Sequence, residues 1–91
     1  MTSERKVSEK MTVYILQTMA NIPKGFGANC AVFRTREIAQ MELERRWKAK
    51  CRELGIAAEP AGKETWCHED YATIDIKGHY IQWNVHEQEL S

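Results

Sequence analysis

The strongest constraint on this chain is a change of parity near its C-terminus. In Tyr71 to Ile76 (YATIDI) the apolar residues Ala72, Ile74 and Ile76 fall on even positions, and in His79 to Val85 (HYIQWNV) Ile81, Trp83 and Val85 fall on odd ones. Alternation with period two is the pattern of a half-buried strand. A one-residue slip would turn a whole apolar set to solvent, so only certain registers bring both sets to one face. A two-residue turn at Lys77-Gly78 does so, pairing Ile76 with His79, Ile74 with Ile81, Ala72 with Trp83 and Asp70 with Val85. A three-residue loop sets Thr73 against Ile81 and is rejected, while a four-residue loop keeps the parity and stays open.

The second constraint is a helix. Thr35 is a natural N-cap, Glu37 sits favourably in the first turn, and Gly55 is placed to end the helix in the left-handed conformation, with Ile56 folding back on the last turn. Between them the spacing of Ala39, Leu43, Trp47, Cys51 and Leu54 predicts one buried stripe on a helix from Arg36 to about Leu54. Ile38 and Met41 fall off that stripe, so they either find a second contact or stay exposed. Glu42 with Arg46 and Glu44 with Lys48 are i,i+4 pairs in the favourable orientation.

Upstream, MTVYILQTMA is rich in β-branched and aromatic residues, with Val13, Ile15 and Met19 on one face and Tyr14 and Leu16 on the other. Apolar residues on both faces predict a central strand covered on both sides. Asn21 to Asn29 (NIPKGFGAN) carries loop punctuation, and Cys30 to Phe33 (CAVF) is either a second strand or a lead-in to the helix. The expected fold is α+β: an antiparallel sheet of three or four strands with one amphipathic helix on one face, in the order β-(β)-α-β-β.

At 91 residues there is room for one core, so residues 11–91 are expected to form a single domain after a polar, loose tail at 1–10. That tail lacks the apolar stretch of a signal peptide, and no apolar run approaches a membrane span, so the expected compartment is the cytoplasm. Charge is balanced overall but uneven: residues 1–55 hold 11 basic and 6 acidic side chains, and residues 56–91 hold 2 and 7. The helical half is +5 and the C-terminal half −5, a division able to steer a charged partner.

Chemistry-bearing residues cluster in Cys67-His68-Glu69-Asp70. Neighbours on a regular strand point to opposite faces, so the surviving same-face group is Cys67, Glu69 and His86, all acceptable zinc ligands, with His86 across from Glu69. A cross-strand Glu–His pair explains the same residues without a metal, and His68 opposite Glu87 would be a similar pair. Cys67 beside His86 is also the one arrangement available for a cysteine nucleophile. Cys30, Cys51 and Cys67 are odd in number and widely spaced, which indicates free thiols rather than a disulfide framework. Gly25-Phe26-Gly27 lacks the third glycine of a phosphate-binding turn. The basic run around Trp47, with Arg45, Arg46, Lys48 and Arg52, shares its helix with four glutamates, whereas a nucleic-acid domain carries a clear basic excess.

Three stretches, Val13 to Leu16, Val32 to Ala39 and Val85 to Leu90, resemble small uncharacterised phage and bacterial proteins. In those, a Val-Tyr-x-Leu strand precedes a Val-Phe-x-Thr-x-Glu-x-Ala helix entry and a closing strand. The NIPKGFGANC stretch and the Cys-His run are not part of that pattern. The resemblance implies an α+β sheet with one helix, no known catalytic residues, and action by binding a host protein, as anti-CRISPR proteins do. The expected function is therefore a non-enzymatic protein-binding protein without cofactor, monomeric or homodimeric, whose charged faces (Arg45, Lys48 and Arg52, or Asp75 and Glu87) meet the partner. The alternatives are a nucleic-acid binder using the basic helix face, and a metal-binding protein or enzyme using Cys67, Glu69 and His86.

Overall fold

The computed structural model describes residues 11–23, 25–59, 62, 64–76 and 78–90. The expected tail at 1–10, Lys24, Lys77 and Ser91 lie outside them. Among the described residues five strands, β1 (Met11–Ile22), β2 (Gly25–Phe33), β3 (Thr65–His68), β4 (Tyr71–Ile76) and β5 (His79–Leu90), make one antiparallel sheet in the order β2-β1-β5-β4-β3. The helix α1 (Arg36–Leu54) lies across one face. No helix among the described residues is long and apolar enough to cross a membrane.

The fold class is the expected one, with more strands. The Asn21 to Asn29 stretch is not a loop: β1 runs on to Ile22 and β2 starts at Gly25, in register with it from Ile22↔Gly25 to Tyr14↔Phe33. Glycine is a poor strand residue in isolation, but pairing along nine positions satisfies backbone groups that a loop would leave to water. The second difference is at Glu69-Asp70. The regular strand expected through Cys67 to Asp70, with Glu69 across from His86, instead folds back there, so that β3 pairs with β4 through Thr65↔Ile74, Cys67↔Ala72 and His68↔Tyr71. Glu69 takes φ 48, a left-handed conformation uncommon for a residue with a side chain, and Asp70 is a turn-former.

The last hairpin has the expected register, with Ile76↔His79, Ile74↔Ile81 and Ala72↔Trp83. The Asp70 to Val85 pairing persists as a hydrogen bond from the Val85 N–H to the Asp70 carbonyl, 2.8 Å. The helix also keeps its expected ends. The Thr35 hydroxyl accepts from the Ile38 N–H at 3.1 Å, Gly55 sits at φ 72, and the Ile56 N–H donates to the Cys51 carbonyl at 2.9 Å. Ala39, Leu43, Trp47 and Cys51 are buried against Leu16, Ala72, Ile74, Ile81, Trp83 and Val85, and Leu54 is half-buried at the margin. Each fully withdrawn aliphatic side chain among them contributes about 1.5–3 kcal/mol. Ile38 and Met41 stay exposed.

Candidate interaction surface

The sheet separates the residues expected to meet. Cys67 faces the helix beside Ala72, while His86 pairs with Ile15 and lies on the opposite face. Glu69 has left the strand for the turn, so it is not across from His86. The Cys67, Glu69 and His86 group therefore does not converge, and among the described residues no three His, Cys, Asp or Glu side chains are placed to hold a metal ion. The Cys67–His86 nucleophile arrangement falls for the same reason. Burial raises the Cys67 thiol above its ordinary range, with Glu44 adding to the shift, and burial likewise raises Cys51. Both are held as thiols rather than as reactive thiolates. His68 does not meet Glu87 either: it pairs with Tyr71 and stacks on Trp66 at 5.8 Å.

The helix surface is largely compensated from within. Glu42 accepts from Arg45 at 2.5 Å and from Arg46 at 2.7 Å, Lys48 meets Glu44 at 2.9 Å, and Lys50 meets Glu53 at 3.1 Å. The Arg45 and Arg46 hydrogen bonds hold the Glu42 carboxyl down at about 2. Arg36 crosses to the sheet, donating to Asp70 at 2.5 Å and Glu87 at 3.2 Å and lying over the Tyr14 ring at 5.1 Å, while Gln40 donates to the other Asp70 oxygen at 2.7 Å. Of the residues singled out for partner binding, Arg45, Lys48 and Glu87 are thus engaged in ion pairs. Arg52 is exposed in the last helical turn, and Asp75 is exposed on the far face of the sheet. Arg36 and its clamp carried no periodic or motif signal.

Among the described residues, no helix lies on the other face of the sheet. Register places its side chains in rows: Phe26, Asn21, Tyr80 and Asp75; then Ala28, Met19, Gln82, Thr73 and Trp66; then Cys30, Gln17, Asn84, Tyr71 and His68. Val32, Ile15 and His86 follow, then Val13 with Gln88 and Met11 with Leu90. Met11, Phe26, Val32, Trp66, Tyr80 and Leu90 are exposed there. Glu87 and Glu89 share the helix side with their partners Tyr14 and Thr12, which leaves Asp75 as the one carboxylate and no lysine or arginine among the described strand residues of this face. The remaining polar groups are chiefly amides. The expected second cover over Val13, Ile15 and Met19 is absent from the described residues, and that apolar parity was the sequence signal for this surface.

The chain matches no known protein family, and no curated protein or solved structure is significantly similar to it.

Proposed function

We propose that this is a non-enzymatic protein that works by associating with a protein surface through the bare face of its sheet. The observation that carries the reading is the near absence of charge from a broad face bearing Met11, Val13, Ile15, Met19, Phe26, Val32, Trp66, Tyr80 and Leu90. Depletion of charge with enrichment of aromatic residues and methionine is the composition of an interface core. A nucleic-acid reading has less support, because phosphate binding needs available cations and Arg45, Arg46 and Lys48 are tied to glutamates. A phage or mobile-element setting, with anti-CRISPR-like action on a host protein, rests on the sequence resemblance.

The test is a photo-crosslinking side chain at Gln17, in the middle of the bare face, compared with one at Glu44 on the helix. Protein adducts should form from position 17 and not from 44. Adducts from 44 alone would move the binding surface to the helix and overturn the reading.

A further inference from the structure

We infer that the surface seated on the bare face is that of a second copy of this chain, two sheets stacking face to face with the helices outermost. This rests on the reading of that face as a binding surface, and three observations select the occupant.

The first is area. At about 3.3 Å per residue along a strand and about 4.8 Å between strands, a sheet with these strand lengths presents roughly 700 Å² of flat face. A standard stable interface buries about 800 Å² per partner, the same order as this face.

The second is self-complementarity. Around a twofold axis the same patch meets itself, so any fixed charge near the middle faces its own like. Here the middle rows hold Gln17, Gln82, Asn84 and Thr73, and the one carboxylate, Asp75, lies in the row at the hairpin end. An amide both donates and accepts, so it pairs with its own kind. Stacked sheets about 10 Å apart let the rows interdigitate, as in a β-sandwich.

The third is that the rest of the chain is a poor cover. Residues 1–10 carry Glu4, Arg5, Lys6, Glu9 and Lys10 against a single β-branched apolar residue, Val7. Laying those charges on an almost uncharged apolar face would desolvate them without partners.

The experiment is sedimentation of the full chain over about 1 to 100 µM, a range that spans ordinary dimer affinities. The wild type should show twice the 10.6 kDa mass of the chain. Gln17→Glu and Gln82→Glu each put two like charges in the middle of the interface and should weaken dimerisation at least about tenfold. Thr73→Glu is a further variant of the same kind, and circular dichroism of each confirms the fold. Alkylation of Cys30, which is exposed on this face, should be slower in the wild type than in a monomeric variant. A wild type at 10.6 kDa throughout, or a dimer indifferent to all three substitutions, overturns the inference. The Gln17 crosslinker separates the two levels: adducts to a different protein overturn self-association and leave the face as the binding surface, and no adduct of any kind overturns both.

Discussion

At the scale of single residues, burial and hydrogen bonding rank the side chains more sharply than hydrophobicity does. Trp83 is 2% exposed between Ala72 and Thr18, whereas Asn84 points to the other face. Trp83→Ala should cost about 3–5 kcal/mol, and Asn84→Ala should stay within about 0.5 kcal/mol. Urea unfolding of the two variants checks the contrast; equal costs or the reverse order would overturn the assignment of faces. The Thr18 hydroxyl is buried with no hydrogen-bond partner among the described residues, as is the Trp47 indole N–H. An unsatisfied buried polar group is costly, so Thr18→Val, which keeps the shape, should stabilise the protein by about 1 kcal/mol. A destabilised variant would show that the hydroxyl has a partner.

At the scale of the elements, the helix is held by different means at its surface, its ends and its buried stripe. On the surface, Glu42 gathers Arg45 and Arg46, which lowers its carboxyl from 4.5 to about 2. A depressed acid adds stability in full above its unfolded value, and the contribution is lost as pH falls from about 4.5 toward 2. Glu42→Gln should therefore be less stable than the wild type at pH 7, with most of the difference gone near pH 2, as measured by urea midpoints at the two values. A constant difference would place the effect in packing instead. The helix end at Gly55 depends on a backbone at φ 72, where a side chain is strained.

At the scale of the whole molecule, one half-buried carboxylate ties the layers together. Asp70 receives Arg36 on one oxygen and Gln40 on the other, from the start of α1, at the point where β3 turns into β4. Removing the acceptor leaves both donors without it, and Asp70→Ala should cost about 1–3 kcal/mol, the range for leaving a hydrogen-bonding group without its partner. Asp75→Ala, on the far face and without such donors among the described hydrogen bonds, should leave the thermal midpoint almost unchanged. If both substitutions behaved alike, the clamp would have no structural role. The same layering gives the molecule two unlike surfaces, a charged helix layer and a nearly uncharged sheet face.

The sequence alone determined the elements whose signals are local or periodic: the α1 limits through Thr35 and Gly55, its buried stripe, and the Ile74↔Ile81 register. In each, the apolar period and the turn chemistry agree over a short stretch, and local backbone geometry leaves few alternatives. Only the tertiary structure decided the rest. Gly25 to Asn29 became a strand because β1 lay alongside to pair with it, and no local propensity announces a partner. Glu69-Asp70 became a turn, which sent Cys67 and His86 to opposite faces and dissolved the apparent site, since which face a strand residue takes depends on where the strand ends. The double-sided apolar pattern of β1 was legible as a need for cover on both faces. What only the fold could decide is that α1 covers one face, leaving the other without a layer among the described residues and nearly uncharged.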